Sequence, residues 1–270
     1  MLVGCCASMI APNIDPIGIE SIEVLAELGY DYIELSLSHF CALPEDAFCL
    51  VAQRIRDSGL SCLACNNFFP PRLRLTGSEA SMRPNLEYAD TAIQRASAIG
   101  AKTIVFGSSG AKNVPKGFPM NVAWLQISEL LRNLGPIAKA NGVVIAIEPI
   151  SRPESNVVLK ASEGLQLMRE VNHPNIQLLI DYYHMATEHE DDSIVTVANK
   201  SIRHVHLATS SDRRFPNCID QGIDSFLRKL HTTGYDAGIS IEALTDLENF
   251  RQEAAASLLC LKTWVTQNVF

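Results

Sequence analysis

The sequence predicts an α/β protein that forms a single (β/α)8 barrel, with one domain spanning residues 1–270. Short apolar segments alternate with longer helical patterns eight times, which gives about 34 residues for each pair, the size expected of such a barrel. The strand segments are apolar throughout, as in VVIAIEPI, and this is typical of parallel strands buried on both faces. A doubly wound sheet is the alternative. It is disfavoured because the first strand runs into GCCASMIAP, where a glycine-rich phosphate turn is expected.

The individual elements follow from periodicity and from the residues at their ends. Five glycines stand directly after predicted helices, where a left-handed residue ends a helix at little cost, namely Gly29, Gly59, Gly100, Gly142 and Gly234. Pro16 and Pro44 fit the first turns of the helices that they precede. The predicted strands are 2–8, 32–37, 61–68, 103–107, 143–149, 177–182, 203–208 and 238–243. The predicted helices are 17–28, 45–58, 81–99, 120–141, 160–172, 192–200, 222–233 and 246–267.

The charge balance excludes two classes of partner. The chain has 22 Lys and Arg against 30 Asp and Glu, for a net charge of −8. An acidic surface repels phosphate backbones and anionic membranes, so we expect neither nucleic acid nor membrane as a partner. No apolar run approaches the roughly 20 residues of a membrane helix. The first residues also lack the basic stretch of a signal peptide, so we expect a cytoplasmic protein.

The eight cysteines predict free thiols rather than a disulfide framework, because a cytoplasmic compartment is reducing. Cys62 and Cys65 form a C-x-x-C pair within a predicted strand. Positions three apart in a regular strand point to opposite faces, so we expect the two sulfurs to diverge and to have a structural role.

The last four predicted strands each end in a residue that can bind a metal, namely Glu148, Asp181, His206 and Glu242. In a barrel of this kind the active site lies at the C-terminal ends of the strands, so these side chains are expected to converge. Two carboxylates about 5 Å apart repel by roughly 3 kcal/mol at an effective dielectric of 20, which calls for a neutralising cation. Three carboxylates and one imidazole suit Mn²⁺, Mg²⁺ or Co²⁺ better than a structural zinc.

Other polar residues lie close to these strand ends. His204 precedes His206 by two and is expected one layer deeper in the barrel, and His184 follows Asp181 at a position from which it can reach a substrate oxygen. For the remaining residues, pocket and structural roles are both open; these are Glu34, His39, Asn66, Asn67, Phe68, Phe69 and the segment 107–110.

Four segments in order, IEPISRPE, LLIDYYHM, IRHVHLATSSDRRFP and ISIEAL, resemble the xylose isomerase-like TIM-barrel superfamily. The resemblance spans essentially the whole chain and is closest to the ketose 3-epimerases, which include tagatose, psicose and L-ribulose 3-epimerases. It implies that one divalent ion, commonly Mn²⁺, is bound by Glu148, Asp181, His206 and Glu242. It also implies substrate contacts from His184, Glu154 and an arginine after the seventh strand, a role open to both Arg213 and Arg214 because the segment SSDRR is longer than in the family.

The expected activity is that of an isomerase acting on a small sugar or polyol ketone. With Glu148 and Glu242 on opposite sides of the substrate, one removes the C3 proton of a ketose and the other returns a proton to the opposite face, through a cis-enediolate. A homodimer or homotetramer is expected by analogy with relatives.

Several alternatives share the same set of residues. A dehydratase acting on inosose or dehydroshikimate and a hydroxypyruvate isomerase-like aldose–ketose isomerase both remain open. Endonuclease IV requires further imidazoles, and the corresponding segments here read CNNFF, VFGSSG and DRR. A non-catalytic sugar-binding barrel is disfavoured because none of the four metal-binding positions is substituted.

Overall fold

The eight strands form a closed parallel barrel in chain order, with the last strand paired to the first. The computed structural model describes residues 1–11 and 14–268. The predicted fold class is confirmed. The strands are β1 (Leu2–Cys6), β2 (Tyr32–Ser36), β3 (Ser61–Asn66), β4 (Thr103–Phe106), β5 (Val144–Ile147), β6 (Ile176–Asp181), β7 (Ile202–Leu207) and β8 (Gly238–Ile241).

Each of the eight predicted helices overlaps an observed helix on the outside of the barrel. Three further helices follow β2, β4 and β6 directly, and each has only one or two turns. The helices are α1 (Ile22–Leu28), α2 (Leu37–Phe40), α3 (Glu45–Ser58), α4 (Met82–Ala98), α5 (Ser109–Lys112), α6 (Met120–Ala140), α7 (Ala161–Val171), α8 (Tyr182–Thr187), α9 (Ser193–Ala198), α10 (Gln221–Thr232) and α11 (Phe250–Asn268). Within the described ranges, no helix combines the length and the apolar character needed to cross a membrane.

The barrel interior is apolar on one side and polar on the other. Val105, Ala146 and Leu179, from β4, β5 and β6, form a small buried cluster separate from the main core. Across the barrel, Tyr32 takes up space that only glycine leaves free. A Cβ at Gly4 would lie 2.2 Å from the Tyr32 ring, and one at Gly238 would lie 2.6 Å from the Tyr32 hydroxyl. The polar side of the barrel thus has room for a large aromatic side chain and for the hydrogen-bonding groups beside it.

The expectation that Cys62 and Cys65 point apart is wrong. Their sulfurs lie 4.0 Å from each other, and both residues are buried. The strand is irregular here: Ile33 pairs with Cys62 but Glu34 pairs with Ala64, so one extra residue is inserted in β3. Such a bulge shifts the alternation of side chains by one position and brings the two thiols together. The predicted free thiols are confirmed for all eight cysteines.

Candidate functional site

The C-terminal end of the barrel gathers the acidic residues that follow β5, β6 and β8. Glu148 and Glu242 lie one residue beyond their strands, and their backbone amides donate to Phe106 O at 3.2 Å and Leu207 O at 3.1 Å. Asp181 is the last residue of β6 and pairs in register with His206 of β7. These backbone pairings place all four side chains at one depth in the barrel, where each is at most 7% exposed.

Three of the predicted ligands form one compact cluster with His184. Glu148, Asp181, His184 and Glu242 each offer a ligand atom, and these atoms all lie within 4.8 Å of one another. The Asp181 side chain caps α8 by accepting a hydrogen bond of 3.1 Å from the His184 amide, which holds the start of this helix at the cluster. The His184 ring is fixed by a 2.9 Å contact between its Nδ1 and Ser151 Oγ. The His184 ring therefore lies beside the three carboxylates.

His206, the fourth predicted ligand, lies against two of the carboxylates. Its Nδ1 is 2.9 Å from Glu148 Oε1 and 3.5 Å from Glu242 Oε2. Its other nitrogen faces away from the cluster, and His206 forms a second group of potential ligands with Cys6 and Glu34. The side chains that meet here are therefore three buried carboxylates and two imidazoles. Hard oxygen donors with imidazole nitrogen fit a divalent cation such as Mn²⁺, which would also relieve the repulsion among the carboxylates.

Arg213 is the arginine that faces the site, and Arg214 is not. The Arg213 guanidinium donates to Glu242 Oε2 at 2.6 Å and to Glu154 Oε1 at 2.8 Å, and it lies 5.1 Å from the centre of the Tyr183 ring. Arg214 instead contacts the carboxylates of Asp246 at 2.9 Å and Glu253 at 3.0 Å, away from the cluster. The expectation that Arg214 could bind substrate is corrected by these ion pairs. Glu154 contacts Arg213, which in turn contacts Glu242, and this ion pair connects Glu154 to the site.

Three residues that are not predicted ligands support the two glutamates. Asn66 Nδ2 donates to Glu242 Oε1 at 3.2 Å, and a Cβ at Gly107 would come within 1.9 Å of Glu148 Oε2. Lys112 is fully buried, and its Nζ donates to the Glu148 carbonyl at 2.9 Å. Burial lowers the pKa of Lys112 to about 8. In the sequence, Asn66 and Gly107 look like ordinary turn residues, and Lys112 looks like a solvent-exposed loop residue. Their contacts with the two glutamates are visible only in the folded structure.

Four other residues with open roles follow β2 and β3, namely His39, Asn67, Phe68 and Phe69. Phe68 and Phe69 are buried and pack against Tyr88. Asn67 is exposed, and so is His39, whose Nδ1 contacts Ser36 Oγ at 2.8 Å.

The two glutamates differ in acidity because their neighbours differ. Burial, together with the charges of Glu242 and Asp181, raises the pKa of Glu148 despite the nearby His206. Burial acts in the same direction on Glu242, but His206 and Arg213 outweigh it and hold the pKa of Glu242 below its ordinary value. The two carboxyls therefore differ in acidity in the metal-free site, and Glu242 is the more acidic of the two.

Comparisons with known proteins agree with this architecture. A family model described as a xylose isomerase-like TIM barrel matches residues 22–264. A ketose 3-epimerase from Arthrobacter globiformis is 24% identical over 254 residues, which cover 91% of this chain and 84% of the relative. An L-ribulose 3-epimerase from Mesorhizobium japonicum is 25% identical over 247 residues, which cover 90% of this chain and 79% of the relative.

The same fold is found in solved structures. The crystal structure of D-psicose 3-epimerase with D-tagatose from Clostridium cellulolyticum H10 has a TM-score of 0.85 and 18% identity, and it covers 98% of this chain and 99% of that chain. The curated relatives described above are named as epimerases, which are isomerases acting on sugars, so the predicted enzyme class is confirmed. The match over residues 22–264 and the closed eight-stranded barrel together show that this chain belongs to the xylose isomerase-like TIM barrel family.

Proposed function

We propose that this protein is a divalent-metal-dependent sugar epimerase that inverts C3 of a ketose. The observation that carries the proposal is the buried cluster of Glu148, Asp181, His184 and Glu242, with His206 beside two of its carboxylates. The names of the relatives, a ketose 3-epimerase and an L-ribulose 3-epimerase, support this substrate class and the position of the inverted carbon.

Glu148, Asp181, Glu242 and His206 would hold the ion, and Mn²⁺ is the ion that we propose. Lewis-acid stabilisation of the negative charge that develops on substrate oxygens is the chemistry that such an ion supplies when bound. His184 Nε2 lies 4.0 Å from Asp181 Oδ2, so this ring borders the same space and can donate to a substrate oxygen there. Arg213 neutralises part of the charge on Glu242 and would present its remaining N–H groups to substrate hydroxyls.

The two glutamates divide the proton transfer between them. One of the two, Glu148 or Glu242, takes the C3 proton from one face of the ketose. The other returns a proton to the opposite face, and the two roles exchange in the reverse reaction. Two groups on opposite faces invert the carbon, whereas one base on one face would return the proton to the side from which it came.

Deuterium incorporation tests this assignment directly. The Mn²⁺-loaded enzyme is incubated in D₂O with a panel of ketoses and inososes, and the products are analysed by NMR. We expect an epimerised ketose with one deuterium at C3, while the substrate recovered at early times remains unlabelled because separate groups remove and deliver the proton. Loss of water would instead indicate a dehydratase, and an aldose product with deuterium at a neighbouring carbon would indicate an aldose–ketose isomerase.

A further inference from the structure

Behind His206, on the side away from the acidic cluster, lies a second buried carboxylate. Glu34 of β2 is 0% exposed, and its Oε1 lies 3.0 Å from His206 Nε2. Its other oxygen, Oε2, is 2.8 Å from His204 Nε2 and accepts a hydrogen bond of 2.5 Å from Ser240 Oγ. The Tyr32 hydroxyl lies 2.9 Å from Ser240 Oγ and completes the network.

This arrangement keeps an ionisable group in the centre of the barrel. A buried carboxylate is costly unless hydrogen bonds compensate for its lost hydration. Glu34 has such partners on both oxygens, and they come from β7 and β8, which the closure of the barrel brings near β2. The carboxylate is therefore held in one position, and the position of its Oε1 defines where His206 Nε2 must lie.

The contact also requires a proton on the outer nitrogen of His206. An ionised carboxylate only accepts hydrogen bonds, so Glu34 Oε1 requires a proton on Nε2. When His206 ligates a cation as a neutral imidazole, the other nitrogen, Nδ1, supplies the lone pair. This nitrogen is the one that faces Glu148 and Glu242 at 2.9 and 3.5 Å.

We propose that Glu34 is a positioning residue of the metal centre, which orients His206 and keeps its Nδ1 available as a ligand. The inference rests on the proposed function, because it assumes that the acidic cluster binds a cation. A carboxylate that accepts from the outer nitrogen of a ligating histidine fixes the ring and raises its basicity. His204 and Ser240 contribute indirectly, since they hold the carboxylate and do not contact His206 Nδ1.

A separate soft-metal site at Cys6, Glu34 and His206 is a competing explanation for the same residues. Cys6 Sγ lies 3.9 Å from His206 Nε2, so the three side chains are close enough to be considered. Both oxygens of Glu34 are already engaged, however, by the two imidazoles and the Ser240 hydroxyl. A cation would have to displace these contacts, and hydrogen bonding therefore accounts for the cluster better.

Metal affinity tests the role of Glu34 in a matched pair of variants. Mn²⁺ binding to the metal-free protein is measured by EPR for the wild type, Glu34→Gln and Glu188→Gln. The control changes a buried carboxylate whose side chain pairs with Arg152 and contacts none of the proposed ligands. We expect the Kd for Mn²⁺ to rise about 10- to 100-fold in Glu34→Gln and to be unchanged in Glu188→Gln. Activity of Glu34→Gln should return towards that of the wild type at saturating Mn²⁺.

A measurement on the wild-type protein keeps the inference testable if Glu34→Gln does not fold. Two-bond ¹H–¹⁵N NMR of the Mg²⁺-loaded protein, assigned with His206→Asn, should show His206 protonated at Nε2 and unprotonated at Nδ1. Protonation at Nδ1, or wild-type affinity in Glu34→Gln, would overturn the role of Glu34 while leaving the metal centre intact. A wild-type protein that binds neither ion would instead contradict the metal centre, and with it both proposals.

Discussion

Replacing Glu242 by glutamine is expected to lower kcat about 10²- to 10⁴-fold, because the amide can neither take nor return a proton. The substitution preserves the size of the side chain. Arg213 Nη2, which donates to Glu242 Oε2, can still donate to the amide oxygen, and the Asn66 amide, which donates to Oε1, can rotate to accept from the new NH2 group. The amide oxygen can still coordinate weakly, and we therefore expect the purified variant to retain its ion. Steady-state kinetics and elemental analysis of the same preparation check both parts.

The control for this variant is Glu253→Gln. Glu253 also pairs with an arginine, Arg214, but on the outer side of the barrel, so the same chemical change should leave kcat near the wild-type value. If Glu242→Gln turned over normally, Glu242 would not be an acid or base of the reaction. If it lost both the ion and the activity, its main role would be that of a ligand.

Asp181→Asn should abolish tight metal binding. Asp181 shares the cluster with two other carboxylates. Mutation of a residue that only hydrogen-bonds to a metal ligand costs up to about 100-fold in metal affinity. Loss of a residue that binds the metal itself should therefore raise the Kd for Mn²⁺ by at least about 100-fold. Asparagine keeps an oxygen that can accept the hydrogen bond from the His184 amide, which caps α8. Asp181→Ala loses both interactions, so comparing the two variants separates metal binding from the capping of this helix.

Thermal unfolding gives Asp181→Asn a second readout. In the metal-free protein each close carboxylate pair costs up to about 3 kcal/mol, so removing one charge should raise Tm by a few degrees. Added Mn²⁺ should raise the Tm of the wild type and not that of the variant, because only the wild type binds the ion tightly. Full metal occupancy in Asp181→Asn would remove Asp181 from the set of ligands, whereas a wild-type Tm that does not change with Mn²⁺ would contradict the metal centre as a whole.

Much of the fold and the acidic cluster could be predicted because both depend on periodic features. Apolar strands followed by amphipathic helices predict the barrel, and the barrel places the ends of β5 to β8 at one opening. Glu148, Asp181 and Glu242 were therefore identifiable from their positions in the chain alone. His206 was identifiable because alternation along β7 places it and His204 on the same face, and His206 is the one nearer the C-terminal end of the strand.

The remaining features depend on local geometry that periodicity does not encode. Arg213 and Arg214 are adjacent in the sequence, so the sequence does not show which of them faces the site. Arg213 has a positive φ of 55°, which an arginine in the sequence does not predict. The bulge in β3 that brings the thiols of Cys62 and Cys65 close together depends on how β3 pairs with β2. The contact between Glu34 and His206 spans 172 positions and exists only because the barrel closes.

Metal removal and restoration tests the central claim most directly. The purified protein is exhaustively chelated, its metal content and turnover are measured, and Mn²⁺ is then titrated back while binding and activity are followed together. The account predicts that epimerisation is lost with the ion and returns in proportion to the binding of one Mn²⁺ per chain. Full turnover in protein shown to contain no divalent metal would contradict it.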